Sequence, residues 1–170
     1  MSANNSRILL LVLISAAISA CGFQLRSYSF EGNVDSYAIA GGLRTQIVAP
    51  LRRTLRQVGV QEVAPDEAAL VVEILEQRNE RRSVSTTGQA RAAEYELDYR
   101  VQYQILAGDG RVLAPPTWVE RQRVYRIDQG NIVGSSEEQS IVQRELLQDI
   151  VGQIVRAMDL VSRSLEEDAG

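Results

Sequence analysis

The strongest constraint on the fold is a stretch of twelve residues, 94–105, in which polar and apolar side chains alternate without a break. Its apolar members are Tyr95, Leu97, Tyr99, Val101, Tyr103 and Ile105. Successive side chains of a β-strand point to opposite faces of a sheet, so this period of two predicts a long strand with one buried and one wet face. Residues 108–110 (Gly-Asp-Gly) have the composition of a tight turn and predict a hairpin into a further strand.

Two other segments show helical spacing. In residues 43–58 the apolar positions are Leu43, Ile47, Leu51, Leu55 and Val58. Because Pro50 would lose a backbone hydrogen bond inside a helix, two interpretations remain open: a kinked helix, or a first turn that leads into a helix whose first residue is Pro50. Ser135–Glu138 has the form of a capping box, which predicts a second helix from about Ser136 to Ser162.

The remaining segments complete a mixed fold. The other expected strands are 36–40, one that starts at 70–75, and roughly 118–127, with Trp118 and Val124 on one face of the last. Residues 77–82 continue or follow the second of these, and 83–89 have loop composition. The order β-α-β-β-β-α predicts an α+β two-layer sandwich, with two helices packed on one face of a four-stranded, mostly antiparallel sheet. We expect a single domain over 36–165 and a disordered tail at 166–170.

The N-terminus predicts secretion and lipid attachment. An apolar run at 8–18 is about half of the ~20 residues that a membrane-spanning helix needs, as in a signal peptide. The run ends in Ile-Ser-Ala-Cys, which resembles the bacterial lipobox, so residues 1–20 are predicted to be a lipoprotein signal peptide and Cys21 the acylated first residue of the mature chain. The alternative for a lone cysteine is a small buried side chain. Residues 21–35 would form a lipidated tether, and Gly22, where inner-membrane lipoproteins of enteric bacteria carry aspartate, favours the outer membrane.

Composition excludes several classes of function. All 18 basic residues are arginine, and the chain contains no lysine or histidine. Histidine-based nucleophile systems, imidazole metal ligands and lysine Schiff bases are therefore impossible. The predicted mature chain carries 17 arginines and 22 acidic residues, a formal charge of −5 that argues against a general nucleic-acid binder. We expect no enzyme, no metal and no cofactor.

The start of the predicted mature chain, Cys21–Arg26 (CGFQLR), resembles the LptE family of lipopolysaccharide-assembly lipoproteins. In that family the acylated cysteine precedes glycine, an aromatic residue, a variable residue and then Leu-Arg. Further matches are Gly59-Val60 after the first helix, Gly88-Gln89 leading to Ala93-Glu94-Tyr95, and Glu138-Gln139 opening the last helix. Together with the element order, the resemblance covers nearly all of residues 21–163. Pro50 inside the first helix departs from the family pattern. The segment 130–136 also departs, because it lacks the basic residue that members often carry there, which puts a second lipopolysaccharide contact in doubt.

The resemblance implies a role in transport. Members of the LptE family lie in the outer membrane as a plug within the lumen of the β-barrel LptD. They assist assembly of that barrel, and they bind lipopolysaccharide during its insertion into the outer leaflet. The implied partners are thus an LptD-type barrel and lipopolysaccharide, and the only covalent groups would be the diacylglyceryl and N-acyl chains on Cys21. A barrel lumen is polar, which suits the polar face of 94–104, although an ordinary solvated face would have the same composition.

Lipopolysaccharide is anionic, and arginine is the side chain whose planar fork best binds phosphate. The resemblance therefore makes candidates of the arginines that flank the loop between the second and third strands, Arg78, Arg81, Arg82 and Arg91. The alternative is that the first three pair with Glu76, Glu80 or Glu94 and have no specific ligand.

Two other functions remain open from the residues alone. One is an auxiliary lipoprotein of an ABC-type lipid transporter, which would share the lipobox and much of the topology. The other is a cell-wall hydrolase that uses two carboxylates, which would need two acids converging in a cleft.

Overall fold

The computed structural model describes residues 34–86, 92–128 and 132–169. The elements in chain order are β1 (Ser36–Gly41), α1 (Val48–Gln57), β2 (Gln61–Glu62), β3 (Leu70–Thr86), β4 (Ala92–Leu106), β5 (Val112–Asp128) and α2 (Ile132–Ala169). The predicted α+β class is confirmed, with two helices and a mixed sheet. No helix in the described ranges has the length and apolar character needed to cross a bilayer.

The sheet has five strands in the order β2-β1-β3-β4-β5, one strand more than predicted. The additional strand is β2, whose two residues pair in parallel with Ser36 and Tyr37 of β1. β1 is also parallel to β3, whereas β3, β4 and β5 form an antiparallel meander. The prediction missed β2 because two residues are too short to show a period.

The core lies between the two helices and one face of the sheet. The alternation in β4 predicted this face correctly, since Leu97, Val101 and Ile105 are buried. From the helices, Leu51 and Ile150 are fully buried against the same cluster.

The first helix begins later than its apolar face suggested. α1 starts at Val48, so Pro50 stands in the first turn, where its missing N–H would have had no helical partner in any case. A lead-in turn is therefore the better of the two interpretations, and a kinked helix from residue 43 is wrong. Leu43 lies outside the helix and is 65% exposed.

The second helix is longer than predicted at both ends. Ser135 and Ser136 lie inside α2, and the Ser136 hydroxyl donates to the Val133 carbonyl three residues earlier, so the capping-box prediction is wrong. The helix also continues to Ala169, where a disordered tail at 166–170 was predicted. The reason is that the apolar stripe runs on to Leu165, which packs against the core.

The charged part of β3 belongs to the strand. β3 pairs with β4 from Val71 to Thr86, which corrects the loop prediction for the residues up to Thr86, while 87–91 lie outside the described residues. β5 is an edge strand and accommodates Pro115 and Pro116, because an edge position does not require every backbone N–H.

Candidate functional site

The sheet face that points away from the helices is the candidate site, and we call it the open face. It is formed by the outer parts of β3, β4 and β5, and no element in the described ranges covers it. Cross-strand register places these residues on it: Glu76, Arg78, Glu80, Arg82, Glu94, Glu96, Asp98, Arg100, Trp118, Glu120, Gln122, Val124 and Arg126.

Short ion pairs link neighbouring side chains on the open face. Arg78 forms a two-pronged contact with Glu76, with Nε 2.6 Å from Oε1 and Nη2 3.2 Å from Oε2. The register sets Arg78 directly opposite Arg100, and like charges at such positions repel. Pairing of each arginine with a carboxylate on its own strand or the next removes that conflict.

Two carboxylates are buried although they face the uncovered side. Asp98 is 4% exposed and Glu96 is 8% exposed. Arg100 Nη2 lies 2.5 Å from Asp98 Oδ2 and 3.3 Å from Glu120 Oε1, and Arg82 Nη2 lies 2.5 Å from Glu96 Oε1. The Arg82 contact is close in distance but lacks hydrogen-bond geometry at Glu96 Oε1. Long arginine side chains thus cover both acids, which the alternation alone did not predict.

The guanidinium groups stay charged. The hydrogen bond and charge of Glu76 raise the pKa of Arg78, and those of Asp98, with a smaller effect of Glu120, raise the pKa of Arg100. The two buried acids, Glu96 and Asp98, each form an ion pair with an arginine. They are not two free carboxyl groups that converge on a substrate, so this geometry gives no support to the hydrolase alternative.

The structure divides the three described candidate arginines between the two faces of the sheet. Arg78 and Arg82 are on the open face, as their register with Arg100 and Glu96 shows, whereas Arg81 is opposite Leu97 and points to the helix side. Arg91 and Cys21 lie outside the described residues. The pairing alternative holds for Arg78, with Glu76 as foreseen, and for Arg82, whose partner is Glu96 and not one of the acids named from the sequence.

Arg81 has an aromatic neighbour in place of an acid. Its guanidinium carbon lies 5.0 Å from the centre of the Tyr95 ring, and Tyr95 is 6.0 Å from Tyr125, measured between ring centres. The Tyr125 hydroxyl donates to the Gln139 side chain of α2 at 3.1 Å. Within the described ranges, no carboxylate forms a salt bridge with Arg81.

Sequence reasoning placed Trp118 on the same strand face as Val124 but gave it no role. The structure sets Arg78 over the Trp118 ring, 5.4 Å from guanidinium carbon to ring centre. The signal in the sequence was a lone tryptophan at a wet position of an alternating strand. Among the described residues, no group of three or more acidic, cysteine or histidine side chains is arranged to hold a metal ion.

A family model described as LptE, lipopolysaccharide-assembly, matches residues 27–158. The chain belongs to the LptE family. The predicted resemblance is therefore confirmed, and the family places the chain among lipoproteins of lipopolysaccharide assembly. A comparison with curated proteins by sequence gives no match.

Solved structures show the same fold in other lipoproteins. An uncharacterized lipoprotein B from Nitrosomonas europaea is 23% identical, with a TM-score of 0.70 over 86% of this chain and 96% of that one. Rare lipoprotein B from Shewanella oneidensis is 23% identical, with a TM-score of 0.63 over 77% of this chain and 98% of that one. A minor lipoprotein from Acinetobacter baumannii is 23% identical, with a TM-score of 0.61 over 75% of this chain and 92% of that one. At this identity the likeness concerns the fold.

Proposed function

We propose that the protein is an outer-membrane lipoprotein, acylated on Cys21, that plugs an LptD-type β-barrel from the periplasmic side. In this role it assists assembly of the barrel and binds lipopolysaccharide during insertion into the outer leaflet. The observation that carries the proposal is the LptE family match over residues 27–158, which spans the whole sandwich except the end of α2.

The open face supports the plug. A barrel lumen is lined by polar side chains, so a plug must present charged and amide groups to it and still fold around its own core. The open face meets the first need, because each of its four guanidinium groups is paired with a carboxylate within the protein. The opposite face of the sheet meets the second, because it packs on the helices. Paired charges also lower the cost of moving this surface out of bulk water.

Of the described candidates, Arg81 is the best suited to a lipopolysaccharide phosphate. Arg78 and Arg82 already contact carboxylates at 2.6 Å and 2.5 Å, so a phosphate would have to displace or repel an acid there. Arg81 stacks on Tyr95, which holds the guanidinium plane without neutralising it. Arg91, in the same β3–β4 connection by sequence, remains a candidate.

The test is affinity purification of the tagged, acylated protein from its own outer membranes in mild detergent, followed by mass spectrometry. The proposal predicts a stoichiometric barrel of the LptD type and bound lipopolysaccharide in the eluate. The matched control is Cys21→Ala, which removes the acylated sulfur, and we expect much less barrel with it because the unacylated chain is not held at the membrane. An ABC-transporter component in place of a barrel would contradict the proposal and support the auxiliary-lipoprotein alternative.

A further inference from the structure

A groove on the open face surrounds Trp118. It has a volume of about 480 Å³ and is lined by Arg78, Arg100, Trp118 and Glu120. Trp118 remains 42% exposed although Arg78 lies over its ring. Trp118 is the single tryptophan of the chain. It lies among charged side chains on the open face, which no helix or strand in the described ranges covers.

The charge balance of the groove decides which ligand chemistry fits. Both arginines are held by acids, Arg78 by Glu76 and Arg100 by Asp98 and Glu120. Three carboxylates therefore face two guanidinium groups, so the groove has no positive excess to attract a free phosphate. The charge balance at Arg81 is different, because none of the described carboxylates forms a salt bridge with that arginine.

The same groups suit a neutral ligand with many hydroxyls. Guanidinium N–H groups can donate hydrogen bonds to a hydroxyl oxygen, and the carboxylate oxygens of Glu120 can accept a hydrogen bond from the hydroxyl hydrogen. A sugar hydroxyl at the rim of the groove can therefore both donate and accept. The part of the indole that Arg78 leaves exposed offers an apolar surface against which the C–H face of a sugar ring can pack. An aromatic floor with a few convergent polar groups is the usual composition of a small-ligand site.

We propose that the Trp118 groove binds the sugar rings of an oligosaccharide. The proposal deepens the function proposed above, on which it rests for the physiological source of the sugar: the groove takes uncharged sugar rings from the saccharide part of lipopolysaccharide, and Arg81, on the other side of the sheet, takes a phosphate. Register separates the two positions, because Arg78 and Arg81 point to opposite faces of β3.

Trp118 fluorescence tests the proposal directly, since no other tryptophan contributes to the signal. The full mature chain carrying Cys21→Ala is titrated with three probes: an uncharged outer-core oligosaccharide freed of lipid A and of the anionic inner core, a neutral maltooligosaccharide, and inorganic phosphate. We expect a saturable blue shift with the core oligosaccharide, as a sugar ring shields the indole from water, and no effect of phosphate. A saturable response to the maltooligosaccharide of the same size would keep the saccharide groove but assign it to glycans in general. Phosphate that competes with the sugar, or the absence of any saturable response, would overturn the proposal.

Calorimetry with variants separates stacking from folding. Trp118→Ala is expected to weaken core-oligosaccharide binding roughly tenfold, as for the loss of one aromatic contact, and Trp118→Phe to retain most of it. Val124→Ala is the matched control, because Val124 is an exposed residue on the same face of β5 outside the groove. Equal affinity of wild type and Trp118→Ala, with unchanged far-UV circular dichroism, would refute the site. If wild type binds intact lipopolysaccharide but not the oligosaccharide, this inference fails and the proposed function stands. If it binds the oligosaccharide but not intact lipopolysaccharide, the saccharide groove stands and the proposed binding of lipopolysaccharide fails.

Discussion

Gly41, at the end of β1, allows a close approach of β1 to β3, and its replacement provides a quantitative test of the fold. The residue has φ of 63°, and a Cβ added there would lie 2.4 Å from the carbonyl oxygen of Ile74. Gly110 is the matched control, since it has φ of 85° but open space for a Cβ, with no atom within 4 Å of that position. The two glycines therefore share the backbone penalty and differ in the steric one.

The expected magnitude follows from that difference. An alanine with positive φ costs about 1–2 kcal/mol, and the gain from a less flexible unfolded chain is the same at both positions. At Gly41 the backbone of β3 must also move, which adds a cost in the range of about 1–3 kcal/mol found for overpacked sites. We expect Gly41→Ala to be less stable than Gly110→Ala by about 1–3 kcal/mol, or a melting temperature lower by roughly 2–12 °C for a domain of this size.

The assay is urea and thermal unfolding of the mature chain carrying Cys21→Ala, followed by far-UV circular dichroism. Equal destabilisation by Gly41→Ala and Gly110→Ala would refute the close contact between β1 and β3. A larger effect at Gly110 would show that the hairpin, and not the β1–β3 junction, limits stability.

Three further predictions concern charge, ligand and helix length. Burial raises the pKa of Glu62, but hydrogen bonds and charges from its two arginine partners outweigh this and hold the pKa below its usual value. The ionised carboxylate therefore stabilises the fold near neutrality, and this contribution is lost as the pH falls through the pKa of Glu62 in the folded protein. The difference in unfolding free energy between wild type and Glu62→Gln, within about 1 kcal/mol, should be constant near neutrality and vanish in acid. A difference that grows in acid would contradict the ion pair. In surface plasmon resonance, Arg81→Gln should lower the affinity for lipopolysaccharide about tenfold, as expected for the loss of one charged hydrogen bond, whereas Arg82→Gln should change the affinity little. The reverse ranking would remove Arg81 from the proposed site. Leu165→Ala should cost about 1 kcal/mol of unfolding free energy because this partly buried residue packs on the core, and an unchanged urea midpoint would show that the end of α2 does not contribute.

The parts of the fold that sequence predicted well are those where one period extends over many residues. The alternation in β4 identified a strand and its buried face, and the spacing of Leu51 and Leu55 identified the inner face of α1. Which side chains share one face of a strand or helix depends on local geometry alone, so a long apolar period identifies the face that will be buried without knowledge of its neighbours in space.

Element ends were predicted less well, because tertiary packing and not local chemistry sets them. A good capping sequence at Ser135 was overridden when the helix began at Ile132, and the charged residues after Glu76 continued β3 because β4 supplies a hydrogen-bonding partner throughout. Burial of Asp98 also depends on Arg100, whose side chain folds over it. Such coverage between polar side chains has no sequence period.

The candidate site was predicted in composition but not in geometry. Arg81 and Arg82 are neighbours in the chain, and alternation along β3 sends them to opposite faces. Because the sequence left open whether residues 77–82 continue the strand or follow it, this separation could not be foreseen. Trp118 was predicted to share a strand face with Val124, but its contact with Arg78 joins two strands that are not adjacent in the sheet, with β4 between them.

The claim that the protein is a plug is tested most directly by photo-crosslinking in intact outer membranes from two opposite sides of the sandwich. A photoreactive amino acid is placed at Gln122 on the open face or at Leu160, which is 63% exposed on α2. A plug is surrounded by the barrel wall, so both positions should crosslink to the same LptD-type barrel. Crosslinks from only one of the two positions would contradict the plug and show a protein that docks on its partner from the side.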